Sequence, residues 1–321
     1  MRPIVILDFG SQFAHLIGNR VRRLGAYSEI LPVKTPAAEI AALNPFGIIL
    51  SGGPQSVFEK QAPHPDPAIF ELGVPMLGIC YGHHLIAHHF GGSIESMQKE
   101  YGEAVFTHTN GQLFTEIPEI STVWMNHGDS VTALPAGFAT TGRTDICGIA
   151  AYEDVARQLY SVQFHPEVTH SEYGMRVLEN FVSLCGATGT WSAEQAAEQI
   201  ITELRTKLQG KNVFLLVSGG VDSSVAFALL TKALGPERVY GLFVDSGLLR
   251  KNEAAEVERM LGEAGFQNLH IAREAEYFLH QLEGITEPEA KSAAIGSAFL
   301  EVKRRWAKQL HLEDEQGLLG Q

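Results

Sequence analysis

Three short segments of this 321-residue chain hold residue types that would suit nucleophilic catalysis if they met. The first is Gly78-Ile79-Cys80-Tyr81-Gly82, which follows an apolar run and precedes a helical pattern. A nucleophile flanked by glycines at a strand-to-helix turn sits on a sharp, exposed elbow, and a helix N-terminus favours a thiolate. The second is His165-Pro166-Glu167. A cysteine nucleophile needs a base and a group to orient that base, and strand alternation places residues two apart on one side, so His165 and Glu167 can face one site. The third is the glycine-rich Ser51-Gly52-Gly53-Pro54, whose N–H groups, with that of Tyr81, would stabilise a tetrahedral oxyanion. Each has a plainer alternative: a buried cysteine between packing glycines, a surface turn, an ordinary loop. Their joint occurrence at the ends of apolar runs, where α/β proteins carry their sites, favours chemistry.

A second constellation is Val217-Ser218-Gly219-Gly220-Val221-Asp222-Ser223-Ser224, between an apolar run and a helical pattern. Its glycines expose backbone N–H groups, its serines add hydroxyl donors, and the helix N-terminus favours anions, as a phosphate site requires. The Gly-Lys-Ser/Thr of a Walker A loop is absent. Asp222 would be out of place beside phosphate unless Mg²⁺ bridged the two, which makes it the candidate metal ligand. The plainer alternative is a capped helix start. Asp245 closes the next apolar run, either as a nucleotide-facing carboxylate or as a solvated strand end.

These residues must be positioned by the elements around them. Apolar runs at 4–7, 47–50, 76–79, 213–217 and 239–244 suit strands buried on both faces, and helical patterns at 11–24, 83–90 and 221–234 lie between them. The alternation predicts an α/β fold with two doubly wound, mostly parallel sheets. From 100 to 164 the texture changes to short β-like pieces at 101–109, 123–125 and 159–164, expected to be antiparallel ribbons that finish the first domain, with a helix at 171–184 after them. Residues 185–190 are small and read as a flexible linker, and Ser192 with Gln195 forms a capping box that opens a helix to about 208. The predicted domains are 1–187 and 188–321, and a long helix at 288–308 is expected to lack its packing partner.

Composition narrows the classes. With 37 acidic against 24 basic residues the net charge is −13, which argues against nucleic acid as a partner but not against small phosphorylated ligands. Three cysteines, Cys80, Cys147 and Cys185, are too few for a disulfide framework and fit a reducing compartment. No apolar stretch approaches the ~20 residues of a membrane span, and the N-terminus lacks a secretory pattern, so a cytoplasmic location and no membrane partner are expected. His83, His84, His88 and His89 invite a metal reading, but no His-Glu-x-x-His pattern completes it. They are expected to be partly buried helix positions.

Five segments in this order resemble the class I glutamine amidotransferase domain: Asp8-Phe9-Gly10-Ser11-Gln12, the Ser-Gly-Gly-Pro loop, Gly-Ile-Cys-Tyr-Gly, Asn126-His127-Gly128-Asp129 and 162–168. The resemblance implies that Cys80 attacks the glutamine side-chain amide, that His165 is base and then acid, and that Glu167 orients His165. It also implies an oxyanion hole of Gly53 and Tyr81. Two positions depart from the pattern. His84 stands where the family has a glutamine that holds the substrate, and Asn126 where it has serine. The loop Ser218, Gly219, Gly220, Val221, Asp222, Ser223, Ser224 resembles the pyrophosphate loop of N-type ATP pyrophosphatases, and residues 245–253 resemble the sequel found in the GMP synthetase family. That resemblance implies ATP and Mg²⁺ as cofactors and glutamine, ATP and xanthosine 5′-monophosphate (XMP) as substrates. It further implies that ATP adenylylates XMP with release of pyrophosphate, and that ammonia from the first domain displaces AMP to give GMP.

In that family a stretch similar to 317–321 lies mid-domain, ahead of XMP-binding segments and a dimerisation domain. The expectation is therefore a truncated second domain, a homodimer only where the dimerisation domain is present, and no complete synthesis by this length alone. Two other readings stay open: a standalone glutamine amidohydrolase with an auxiliary nucleotide domain, and a glutamine or nucleotide sensor. An intact Cys80, His165 and Glu167 argue against the sensor, which needs no such triad.

Overall fold

Ile4, Val5, Ile6 and Leu7 are all fully buried, a state that consecutive strand residues reach only when both faces of their sheet are covered. The computed structural model describes residues 1–263, 266–312 and the backbone of 317–320, and divides the chain into Met1–Ser192 and Ala193–Gln321. In the first unit the strands are β1 (Ile4–Asp8), β2 (Ser28–Pro32), β3 (Gly47–Leu50), β4 (Met76–Ile79), β5 (Ser93–His108), β6 (Ile120–Ala133), β7 (Ala139–Arg143), β8 (Ala151–Asp154) and β9 (Leu159–Val162). They form one sheet in the order β2-β1-β3-β4-β9-β8-β7-β5-β6. Strands from β2 to β9 in that order are parallel, and the rest are antiparallel.

The helices of this unit are α1 (Ala14–Arg23), α2 (Ala37–Ala42), α3 (Tyr81–His89) and α4 (Gly174–Leu184). Alternation along β1 sorts the core. Ile4 and Ile6 pack with Ile17 and Val21 of α1 and Leu178 and Phe181 of α4, while Val5 and Leu7 pack with Ile40 of α2 and Leu85 and Ile86 of α3. Burial of each such side chain contributes about 1.5–3 kcal/mol.

The second unit has α5 (Ala193–Lys207), β10 (Asn212–Leu216), α6 (Val221–Leu234), β11 (Val239–Asp245), α7 (Glu253–Glu263), β12 (Leu269–Arg273), α8 (Ala275–Gln281), α9 (Pro288–Gln309) and β13 (Gly317–Gly320). Its described strands form a parallel sheet in the order β12-β11-β10-β13. Phe227 of α6 and Leu261 of α7 pack on one face, and Phe278 of α8 and Val302 of α9 on the other. Both units are doubly wound α/β folds, and the first carries the added antiparallel strands.

Four expectations change. Residues 159–164 are only in part an antiparallel element: β9 pairs antiparallel with β8 on one side but parallel with β4 on the other, as a central strand, and it stops at Val162. The pieces expected at 101–109 and 123–125 do form an antiparallel ribbon, the long β5–β6 pair. Residues 185–190 are no loose linker, because Cys185 and Ala187 are buried in the first unit's core and the Trp191 N–H donates to the Gly25 carbonyl (3.0 Å). The long C-terminal helix does not lack a partner, since Ala298, Val302 and Ala307 of α9 pack against Phe214, Leu242 and Phe278. The stretch 317–320 is β13, beside β10, and Gln321 lies outside the described residues.

Candidate active site

Cys80 links β4 to α3 with φ 51° and ψ −100°, a left-handed conformation that a non-glycine residue adopts at a cost of about 1–3 kcal/mol. The glycines around it make the elbow feasible. A Cβ on Gly82 would lie 2.4 Å from the Leu50 carbonyl oxygen, and one on Gly78 would lie 2.5 Å from that of Gly82. The Cys80 N–H donates to the Val162 carbonyl (3.0 Å), which ties the elbow to the end of β9. The sulfur lies 3.6 Å from the Asn126 carbonyl oxygen.

Past that same strand end the chain turns back, and Nδ1 of His165 donates to Oε1 of Glu167 over 2.7 Å, with both side chains buried. The pair therefore sits on a loop beyond β9, and strand alternation is not what aligns it. Backbone ties fix the loop instead: the His165 N–H donates to the Trp124 carbonyl (3.0 Å), Ser171 Oγ to the His165 carbonyl (2.6 Å) and Arg20 Nε to the Glu167 carbonyl (3.0 Å). Burial pushes the His165 ring toward its neutral form. The hydrogen bonds and negative charges of Cys80 and Glu167 outweigh it and lift the ring to about 10. Nε2 of His165 is buried and makes no hydrogen bond of regular geometry. By contrast, burial raises Cys147 to about 11 and raises Cys185 as well, which leaves those two thiols inert.

Two cavities meet at Cys80. The larger, about 490 Å³, is bordered by Gly53, Tyr81, His84, Glu59, Lys99 and Asp129 among others. The smaller, about 330 Å³, is bordered by His165 and by Ser11, Gln12 and Phe13. Gly53, Pro54 and Asn126 line both. Gly53 and Tyr81 are neighbours, since a Cβ on Gly53 would lie 3.4 Å from Tyr81 Cγ. The structure thus brings together Cys80, His165, Glu167, Gly53 and Tyr81.

His84 is buried at the wall of the larger cavity, and its Nε2–H donates to Oε1 of Gln163 (2.7 Å). Burial lowers it to about 4 despite that bond, so its ring is neutral. His83 beside it is fully buried and also pushed well down, whereas His88 and His89 are exposed. Among the described residues no three His, Cys, Asp or Glu side chains gather into a metal cluster, and no helix is long and apolar enough to cross a membrane.

Behind the larger cavity lies a network that sequence reasoning missed. Glu100 accepts from Thr144 Oγ1 (2.9 Å) and faces Nε2 of His127 (3.3 Å), while Nδ1 of His127 donates to the Asp129 carbonyl (2.8 Å). The partners are 44 and 27 residues from Glu100, so only the ribbon register could have exposed the set. Glu100 and His127 are directly paired across β5 and β6.

In the second unit, residues 218–220 lead from β10 into α6. Gly219 has φ +78°, and a Cβ there would meet Val257 Cγ2 at 2.4 Å. Ser223 Oγ accepts from the Ser218 N–H (3.1 Å) and donates to the Gly220 carbonyl (3.2 Å), folding the loop over the helix start. Val221 and Asp222 are exposed, and Ser224 Oγ is buried with no partner. Asp245 ends β11, the parallel neighbour of β10, so it stands at the same edge of the sheet, where its carboxylate accepts from the Gly247 N–H (3.0 Å). The exposed Asp222 carboxylate beside this loop would fit Mg²⁺ as a hard oxygen ligand.

Residues 194–293 match the NAD synthase family. The chain is similar to the protein named GMP synthase [glutamine-hydrolyzing] of Geobacillus kaustophilus, 48% identical over 302 residues covering 93% of this chain and 59% of that one. Its identity to the protein of the same name from Aliarcobacter butzleri is 46%, over 94% of this chain and 59% of that one. The chain therefore spans 59% of the length of these curated relatives. The solved structure of a Thermoplasma acidophilum protein described as a GMP synthase subunit superposes with a TM-score of 0.52 at 28% identity, covering 62% of this chain and 98% of that one. Residues 5–185 match the family described as Glutamine amidotransferase class-I, and with its cysteine elbow and buried His165–Glu167 pair the chain belongs to that family.

Proposed function

We propose that the first unit is a glutaminase whose ammonia serves GMP synthesis, and that the second is the ATP pyrophosphatase domain that activates XMP. The observation that carries this reading is Cys80 on its strained elbow, sharing a cavity with the His165 ring that Glu167 holds at 2.7 Å. The larger cavity offers Lys99 against Glu59 and Asp129, charges of both signs that suit the zwitterionic end of free glutamine. Cys80 Sγ attacks the amide carbon, and the N–H groups of Gly53 and Tyr81 receive the negative oxygen. His165 Nε2–H protonates the departing nitrogen, the C–N bond breaks and ammonia leaves. Water then attacks the thioester, gives its proton to Nε2, and expels the Cys80 thiolate with glutamate as product. Neutral His84, anchored on Gln163, takes the place of the family's glutamine at the substrate wall.

In the second unit, Ser218, Gly219, Gly220, Val221, Ser223 and Ser224 cradle the ATP phosphates with N–H and hydroxyl donors, and Asp245 faces the ribose. Asp222 would hold Mg²⁺, which would supply positive charge to offset that of the pyrophosphate leaving group. The setting is the cytoplasm, with a homodimer only where a C-terminal dimerisation domain is present. The test uses Cys80→Ala in this chain and in a C-terminally extended one. Glutamine hydrolysis should vanish in both while binding of ATP with Mg²⁺ persists, and the extended wild type should release pyrophosphate only with XMP. An extended wild type that releases none with XMP would sink the GMP synthesis reading.

A further inference from the structure

The two cavities at Cys80 differ in chemistry as well as size. His165 borders the smaller one and is absent from the walls of the larger. Every wall residue of the smaller cavity other than Cys80 and His165 is glycine, serine, glutamine, phenylalanine, proline or asparagine, with no carboxylate or ammonium among them. The larger cavity, in contrast, has Glu59, Lys99 and Asp129. The acid that protonates the leaving nitrogen must stand where that nitrogen departs, and the base that activates water must stand where water arrives. One side chain performs both tasks, so both small molecules use one side of the thioester.

We infer that the smaller cavity is the port through which ammonia leaves and water enters, and that Phe13 and Gln12 set its access. The inference rests on the glutaminase reading above. Phe13 is half-buried and stands edge-on to the His165 ring, with centroids 5.5 Å apart, so its ring narrows the approach to Nε2. Gln12 is exposed at the same wall. Ser11 Oγ accepts from the Phe13 N–H (3.0 Å), and Asp8 Oδ1 accepts from the N–H groups of Gly10 (2.9 Å) and Ser11 (3.2 Å), which holds this wall in place. A wall without carboxylates offers no negative charge to stabilise ammonium, so it does not favour the protonated, non-nucleophilic form of the nitrogen.

The port is tested by the partition of the glutamyl thioester between water and added hydroxylamine, which yields γ-glutamyl hydroxamate by attack on the same carbon with loss of the Cys80 thiolate. Phe13→Ala should raise the ratio of hydroxamate to glutamate severalfold. Gln12→Trp, a change at an exposed side chain that the fold tolerates, should lower it. Lys99→Ala, in the larger cavity, should lower kcat/KM for glutamine with the ratio unchanged. A ratio that ignores both Phe13→Ala and Gln12→Trp, or one that follows Lys99→Ala, overturns the port while leaving the glutaminase reading intact. A wild-type chain that neither hydrolyses glutamine nor is labelled at Cys80 by a diazo-ketone analogue of glutamine overturns both.

Discussion

Glu100 and His127 face each other across the β5–β6 ribbon, 3.3 Å apart and almost shut off from solvent. The pair anchors the Asn126–Asp129 stretch of β6 that walls the larger cavity, through the bond from His127 Nδ1 to the Asp129 carbonyl. Removing one partner leaves the other's polar atoms buried and unsatisfied, at about 1–3 kcal/mol. Glu100→Ala is expected to destabilise the first unit by that order in urea unfolding and to raise KM for glutamine more than it lowers kcat. Glu100→Gln keeps an acceptor for the Thr144 hydroxyl and should cost less than Glu100→Ala.

Cys80 and Glu167 together keep the proton on His165. The ring's folded value, about 10, lies above its ordinary 6.5, so its contribution to stability is whole below about pH 6.5 and is lost as pH rises through 10. Glu167→Gln removes one of the two charges that hold the proton. The alkaline loss of stability should begin at lower pH, and the ring's NMR titration should move down with it. The rate of glutamine hydrolysis should fall by about 10²–10⁴. An unchanged titration in the variant would mean that Cys80 alone sets the proton.

The opposite sign applies to His84. Its folded value, about 4, lies below 6.5, so stability is intact above about pH 6.5 and is lost as pH falls toward 4, where the unfolded chain takes up a proton that the folded one refuses. Replacing it by the family's residue, His84→Gln, should flatten that acid slope in unfolding measured between pH 7 and 5. A residual slope is expected from His83, which burial depresses in the same direction.

Gly219 tests the second unit by itself. Alanine there would have to hold φ +78° and would press its Cβ to 2.4 Å from Val257. Gly219→Ala should abolish calorimetric binding of ATP with Mg²⁺ and leave glutamine hydrolysis unchanged.

Much of this was legible in the sequence, for physical reasons. Runs such as 4–7 and 76–79 are apolar on both faces, and only a covered strand accepts them. The cysteine elbow was legible because its glycines are forced by close backbone approach. What escaped depends on distant register. The His165–Glu167 pair was expected but its mechanism was not, because β9 ends at Val162 and the alignment comes from ties to Trp124, Ser171 and Arg20. Glu100 was invisible, since a charged residue in a ribbon reads as solvated until its partner across the strands is known. The small residues 185–190 resemble a tether in composition, yet small side chains are also what a crowded interior admits.

That last point bears on inheritance. Cys185 and Ala187 plug the interior of the first unit, and Trp191 clips the chain to Gly25 before the second unit starts. The natural splice point is therefore after Ser192, several residues past the end of α4. Any exchange of this amidotransferase between host enzymes that cut at the helix end would have left its own keystone behind.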